Sequence, residues 1–443
     1  MQKQLAIKVV LIVVIGLILL IPISMVESKV HERQFYLDEA KNSVASSWTG
    51  SQLMVSPVLV IPYQLSVVTT SGFYTEGGRQ PPVKLSVVLP EHLNGIIKVS
   101  NKSVFKGIYE VPVYSGEVSL TGIIPLKKIQ QHIDDVKRLP RFSHFGTPYL
   151  TSHISDMRGI DSAPLLSINN KSMALNPGGK LKSMAGGLHS EIPDILKSEE
   201  DLRFSIDLNL RGMGSFSFLQ LADNAEITMK SDWPHPEFIG VSLPVNREIS
   251  SAGFTANWSA TRFSNNNEAL LRQCINTDTC STLMGNYSGV NFIEPVDIYL
   301  QSERSVKYAI LFIGLSFITF FIFENIKKTR IHPIQYTFVG LAISIFYLLL
   351  ISLAEHIAFH WAYGIAVLCC TTLLLFYVRY MLNSLMSATL FSLMMLSLYG
   401  LLFVIVQAED FALLMGAFLV FFVLSVVMAI TRKFDWYRLA ESE

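Results

Sequence analysis

The chain has 443 residues; half are hydrophobic, 16% are charged, and the mean hydropathy is +0.40. A soluble protein of this length carries about a quarter charged residues, so the composition excludes an ordinary soluble globular protein. The 35 basic and 35 acidic side chains cancel, which leaves no basic surplus to draw nucleic acid.

The charge deficit is uneven. Residues 27–305 hold 28 acidic and 25 basic side chains, a balance of −3, as in a water-soluble domain. The other 7 acids and 10 bases are shared among two hydrophobic blocks and their short connectors.

A helix crossing a ~30 Å hydrocarbon core needs roughly 20 apolar residues. The first such run spans residues 5–26, with Lys8 as its only charge, placed to snorkel, and Pro22 near its far end. Val26-Glu27-Ser28 is a poor small-x-small cleavage site, and the run is longer than a usual signal peptide core. Residues 1–26 therefore read as an anchor, with a cleaved signal as the alternative.

Residues 27–305 read mainly as strands. After a polar helical continuation at 28–48 come candidate strands at 53–61, 83–89 and 104–124. In 125–138, Leu126, Ile129, Ile133 and Val136 form an apolar stripe at helical spacing. From 202 to 211, Leu202, Phe204, Ile206, Leu208 and Leu210 alternate with polar residues, as a strand with one buried face requires. Further strands are expected at 225–231, 252–263 and 292–300. Gly77-Gly78, Asn94-Gly95, Gly178-Gly179 and Gly186-Gly187 supply turns. The pattern predicts a large mainly-β domain of antiparallel, sandwich-like sheets.

Five more apolar runs follow: 306–325, 334–354, 361–379, 384–406 and 411–430, with a tail at 431–443. A cytoplasmic N-terminus places Lys3, Lys8, Lys327, Lys328, Arg330, Arg379, Arg432, Lys433 and Arg438 inside. Glu355, His356, His360, Glu409 and Asp410 then lie outside. Nine of the ten bases of this part obey the positive-inside rule, Lys307 being the exception. The expectation is six transmembrane helices, both termini in the cytoplasm and residues 27–305 outside it. No acidic or basic residue falls near the middle of a span, which argues against an ion-coupled pump.

Cys274 and Cys280 lie in the outer segment, where an oxidising compartment favours a local disulfide; two free thiols are the alternative. Cys369 and Cys370 lie inside a span. No Gly-x-Ser-x-Gly, His-Glu-x-x-His, phosphate loop or Cys-x-x-Cys occurs, so no catalytic, metal or cofactor motif is found.

Candidate binding residues are Asp156 with Arg158, a carboxylate–guanidinium pair whose plainer reading is a turn with a surface ion pair. Trp233 and His235 sit in Trp-Pro-His-Pro, a stiff aromatic lip or simply a rigid sheet corner. Glu355, His356 and His360 could hold a metal or pass a proton, or be polar caps at the interface. Glu324 is expected to pair with Lys327 and Lys328.

Several stretches together resemble the CreD family of inner-membrane cell envelope integrity proteins. They are Ser155-Asp-Met-Arg-Gly-Ile160, Ser231-Asp-Trp-Pro-His-Pro236, Phe238-Ile-Gly240 and Phe254-Thr-Ala-Asn-Trp258. In the hydrophobic block they are Lys307-Tyr-Ala-Ile-Leu311, Phe323-Glu324, His332-Pro-Ile-Gln-Tyr336, Phe346-Tyr-Leu-Leu-Leu350, Glu355-His356 and Asp435-Trp-Tyr437. The resemblance implies an inner-membrane protein with a periplasmic domain. It also implies control by an envelope-responsive two-component system and a link to colicin tolerance and β-lactam response. It supplies no catalytic residues.

The resulting expectation is a non-enzymatic protein without cofactor. Its partners would be membrane lipid, an envelope component, or a periplasmic or inner-membrane protein. Asp156, Arg158, Trp233 and His235 would act on the outer side, and Glu324, His332, Tyr336, Glu355 and His356 in the membrane block. Lipid or amphiphile transport by the bundle is the rival reading.

Overall fold

In a computed structural model the described residues are 2–66, 82–182, 184–292, 298–327, 331–407 and 412–432. The Gly77-Gly78 turn, Lys328, Arg330, Glu409, Asp410, Lys433, Arg438 and the Asp435–Tyr437 stretch lie outside them. The chain forms two compact units, Met1–Asp38 with Val296–Glu443, and Glu39–Pro295.

The first unit is helical. Helices α1 (Gln2–Ile18) and α2 (Leu20–Ser47) follow one another with a break only at Leu19, and α2 runs on into the second unit. That unit begins with β1 (Gln52–Val55), β2 (Val58–Leu65), β3 (Lys84–Val88), β4 (His92–Lys106) and β5 (Tyr109–Ile124). Helix α3 (Leu126–Lys137) leads to β6 (Phe142–Phe145), β7 (Tyr149–Ser152), β8 (Leu165–Ile168) and β9 (Lys171–Met173). Then come β10 (Asn176–Pro177), β11 (Leu188–Glu191), β12 (Leu202–Gly212), β13 (Ser215–Leu219) and β14 (Asn224–Ser231). The unit ends with β15 (Pro236–Gly240), β16 (Asn246–Ser250), β17 (Gly253–Thr261), helices α4 (Asn267–Thr277) and α5 (Ser281–Met284), and β18 (Ser288–Phe292). Back in the first unit lie α6 (Ile298–Lys307), α7 (Ala309–Lys327), α8 (Pro333–Ala354), α9 (Phe359–Leu382), α10 (Leu385–Gln407) and α11 (Ala412–Thr431).

Among the described residues, five helical stretches are long and apolar enough to cross a membrane: Ile7–Ser47, Ile298–Phe321, Pro333–Ala354, Phe359–Leu382 and Leu385–Gln407. Helix α11, at the place of the sixth expected span, adds 20 uncharged residues. Helices α2 and α6 carry polar turns beyond the apolar runs, so the units divide at 38/39 and 295/296 rather than where the apolar runs end.

The β unit holds three sheets. An eight-stranded sheet has the order β16-β17-β14-β4-β5-β12-β8-β9. A four-stranded one runs β1-β13-β18-β15, and a six-stranded one runs β10-β11-β7-β2-β3 with β6 also on β2. Most pairings are antiparallel, but β14 runs parallel to β4 and β1 parallel to β13, so two sheets are mixed. A parallel pair needs a long crossover, and residues 107–223 lie between β4 and β14, residues 56–214 between β1 and β13.

The alternation in β12 gives the expected result: its five apolar residues are buried in one core with Ile97, Tyr114, Phe216, Phe218 and Trp258. The Phe204 ring covers Gly122 across the strand pair, and Tyr114 covers Gly212, filling space a side chain would take. In α3, Ile129, Ile133 and Val136 are buried as the stripe requires, whereas Leu126 is half-exposed.

Four expectations fail: Asn94-Gly95 is no turn but lies inside β4, and three runs read as strands divide. The run 104–124 is not one strand. A hairpin turns at Gly107, whose φ of 63° suits the first central position of a two-residue turn, and its other arm begins at His92. The run 53–61 splits at Ser56-Pro57 into strands of two different sheets. The run 292–300 holds the end of β18 and the start of helix α6, and residues 293–297 lie outside the described ones.

In the helical unit α8, α9 and α10 close on an aromatic centre. Phe346, Tyr347 and Tyr399 are buried, Tyr363 Oη donates to the Tyr399 carbonyl at 2.6 Å, and the Tyr399 hydroxyl meets Cys370 Sγ at 3.3 Å. Tyr347 Oη is buried with no partner among the described residues.

Two stability outcomes follow from this packing. Gly122→Val forces the Phe204 ring out of its place and lowers stability by about 1–3 kcal/mol. Tyr347→Phe removes an unpaired buried hydroxyl and leaves stability equal or raises it by about 1 kcal/mol. Thermal unfolding in detergent checks both; a loss beyond 1 kcal/mol for Tyr347→Phe would mean the hydroxyl is bonded.

Candidate functional site

Asp156 and Arg158 form a clasp rather than an open site. Asp156 caps the short turn Met157–Gly159, accepting from Arg158 N at 3.1 Å. The same carboxylate accepts from Arg158 Nε at 3.0 Å and Nη2 at 2.6 Å, a fork-to-fork pair that holds it below the usual carboxylate range. Arg158 Nη1 reaches the Ser46 carbonyl at 2.6 Å, in the last turn of α2, where unpaired carbonyls favour a cation.

Beneath the clasp lies buried Gln52, donating to the Asp156 and Arg211 carbonyls at 3.1 and 3.0 Å. A side chain on Gly159 would overlap that amide, so the motif needs glycine there. Arg211 also stacks on Trp48, 4.7 Å from the ring centre, and approaches Asp161 at 3.4 Å.

The Ser231–Pro236 stretch behaves likewise. Asp232 accepts from Asn101 N and Nδ2 at 2.9 and 2.8 Å, tying the end of β14 to β4. Trp233 is half-buried against the main core, and His235 is exposed. The Phe238 and Phe254 stretches supply an aromatic cluster: Phe238 packs edge-on to Phe254 and Trp258, each at 5.8 Å.

The helical unit places its polar residues at two ends of one span. Glu324 pairs with Lys8 of α1, and its other oxygen accepts from Tyr336 Oη at 3.2 Å. Lys8 also donates to the Ile331 carbonyl at 3.0 Å. Lys8 therefore does not simply snorkel, and Glu324 finds a cation across the unit; the side chains of Lys327 and Lys328, its expected partners, lie outside the described ones. His332 caps α8, its Nδ1 accepting from Ile334 N at 3.3 Å while Gln335 Oε1 accepts from His332 N at 3.0 Å, with Pro333 in the first turn. At the far end of α8, Glu355 pairs with Arg33 of α2 at 3.1 Å. His356 and His360 are exposed, and among the described residues no cluster is suited to a metal. Between the two ion pairs Leu19 packs on Gly340, where a side chain would clash.

A cleft that local sequence signals did not reveal lies in the β unit. It measures about 860 Å³, within the size range of ligand sites. Pro62 and Tyr63 of β2, Lys84 and Leu85 of β3, and Tyr149 of β7 form one wall. Lys180, Lys182 and Glu191 form a second, and Ile275, Asn276 and Asp278 a third. The Cys274–Cys280 disulfide closes that last wall, joining helix α4 to the start of α5. Lys180 pairs with Glu191 at 2.6 Å and Lys182 with Asp278 at 3.1 Å. Burial pushes the Tyr149 phenol up to about 12, so it stays a neutral donor to the Lys180 carbonyl at 3.4 Å. These residues come from segments far apart in sequence, and no short motif joins them.

The clasp has a pH signature. Asp156 is depressed in the fold, so its contribution is full above the ordinary carboxylate pKa and is lost as pH falls through the lower folded value. Asp156→Ala removes both cap and ion pair and costs about 1–2 kcal/mol at pH 7. Unfolding curves of wild type and variant draw together as pH falls below the ordinary carboxylate range.

The comparisons with known proteins agree with this layout. The family model described as "Inner membrane protein CreD" matches residues 4–437. The Escherichia coli (strain K12) protein named "Inner membrane protein CreD" is 32% identical over 426 residues, covering 95% of this chain and 91% of that protein. With the residues of the resemblance found at the clasp, the aromatic cluster and both ends of α8, the chain belongs to the CreD family of inner membrane proteins.

Proposed function

We propose that this chain maintains the cell envelope as a six-span inner-membrane protein. Both termini lie in the cytoplasm, and the β unit stands in the periplasm to bind an envelope component or a protein partner. The bundle anchors that unit. The activity is binding rather than catalysis.

The observation that carries this reading is the pair of ion pairs on the N-terminal helix. Lys8 meets Glu324 near the start of α8, and Arg33 meets Glu355 at its end. At 1.5 Å per residue Lys8 and Arg33 are about 37 Å apart along the helix, just more than a ~30 Å hydrocarbon core. The N-terminal helix and α8 thus run the same way, with one ion pair at each surface. That arrangement supports the expected alternation of spans, and lysine and arginine placement sets which end faces the cytoplasm.

The rival reading, transport of a lipid or amphiphile through the bundle, is weakened by the aromatic centre. Phe312, Phe320, Phe346, Tyr347, Phe391 and Tyr399 are all buried there and packed against one another.

Two measurements test the proposal. Alkaline phosphatase fused after residue 150 is active and a fluorescent protein at the same site is dark; the reverse overturns the topology. Photoreactive residues in place of Tyr63, Lys84 and His235 capture a specific envelope molecule or protein in intact cells, and the absence of any adduct overturns the binding role. Lys8→Glu destabilises the protein in detergent by about 3 kcal/mol, as leaving Glu324 unpaired requires, and Lys8→Glu with Glu324→Lys restores most of it.

A further inference from the structure

We propose that the cleft beside the Cys274–Cys280 disulfide binds an anionic saccharide, a sugar chain carrying carboxylate or phosphate groups. This rests on the reading that the β unit binds an envelope component, and it names the chemistry of that component.

The cleft's charge pattern points to the ligand. Three lysines face two carboxylates: Lys180 and Lys182 are paired with Glu191 and Asp278, while Lys84 has no ion-pair partner among the described residues. The surplus is one positive charge, which disfavours a cationic ligand. The two paired groups are exposed, with side-chain exposures of 39% and 52% for Lys180–Glu191 and 83% and 54% for Lys182–Asp278. Exposed pairs of this kind hold one another weakly. They therefore open readily and offer donors and acceptors side by side, the pattern that hydroxyl groups need on both counts.

Tyr63, half-buried, gives a flat apolar ring beside these charges. A sugar ring presents a C–H face for such a patch and a hydroxyl edge for the charged rim. A wholly apolar ligand would strand five charged groups without water.

The third wall is built in advance. The disulfide closes a six-residue separation, and Asp278 sits within it in a left-handed conformation at φ 55° that ends α4. Asn276 and Asp278 thus face the cleft at little ordering cost when a ligand arrives. Lys180 on the opposite wall is also left-handed, at φ 55°, and its ammonium lies 5.4 Å from the Tyr149 ring centre.

Calorimetry on the full-length protein in detergent tests the assignment with tetragalacturonate, maltotetraose and inorganic phosphate as probes. Tetragalacturonate is expected to bind roughly tenfold more tightly than maltotetraose, the worth of about one charge-assisted hydrogen bond. Its binding weakens as salt rises. Lys84→Gln removes most of that preference, while Tyr63→Ala weakens both sugars. Both variants keep the wild-type unfolding temperature, because neither residue is buried in the core.

Equal binding of the two sugars, or of neither, overturns the proposal. So does full competition by inorganic phosphate with no effect of Tyr63→Ala, which would leave a bare anion site. If photoreactive residues at Tyr63 and Lys84 capture an envelope molecule while no uronate binds, the ligand class falls and the binding role stands. If no adduct forms at any position, the binding role itself falls.

Discussion

The ion pair between Lys8 and Glu324 fixes the register on which the helical unit depends. Helices in a bilayer gain little from hydrophobic burial, since lipid is as apolar as leucine, so packing and polar contacts must set their positions. Lys8 and Glu324 are 316 residues apart in sequence. Their contact, with Tyr336 on the second carboxylate oxygen and Ile331 on the ammonium, ties α1 to the α7–α8 connection at one end. Arg33 and Glu355 tie α2 to the end of α8. Between them Gly340 lets Leu19 approach closely. A helix held at both ends and touching in the middle can neither slide nor rotate.

The β unit is held by different means. Its core is continuous across all three sheets and closed by large aromatics, so burial supplies the driving force. Polar residues act there at junctions: Gln52, Asp156 and Arg158 where α2 ends, and Asp232 with Asn101 at a strand end. The motifs that carry the family resemblance are mostly these junctions and the aromatic cluster. A carboxylate–guanidinium fork that also holds a helix end, and a glycine under a buried amide, tolerate few replacements, which explains a recognisable sequence.

Much of this was legible in the chain, and the failures have physical causes. Period two in β12 and the stripe in α3 reported burial directly, because each element has one buried face. The hairpin at Gly107 was hidden because its tip is apolar: Phe105 and Ile108 are 68% and 49% exposed, so hydrophobicity ran through the turn. Helix α4 spans only 11 residues, its apolar stripe is confined to 269–275, and no side-chain cap marks its start, so its helical period was faint. Lys8 and Glu324 each read as residues at the edge of a span, and nothing local could pair them. The cleft was beyond reach for the same reason, since its three walls meet only after the sheets and the disulfide have formed.

Clasp and cleft answer different demands, and the difference separates structural from functional residues. Asp156 is satisfied by Arg158, and Glu324 by Lys8 and Tyr336, so these polar groups are spent on the fold. In the cleft the pairs are exposed, one lysine is in surplus, and half-exposed Tyr63 presents a ring beside them. Charge that is fully partnered and partly buried holds a structure, whereas charge left loosely paired around a preformed hollow is free to meet a ligand. By that criterion a ligand of the β unit belongs in the cleft, whereas the clasp belongs to the fold.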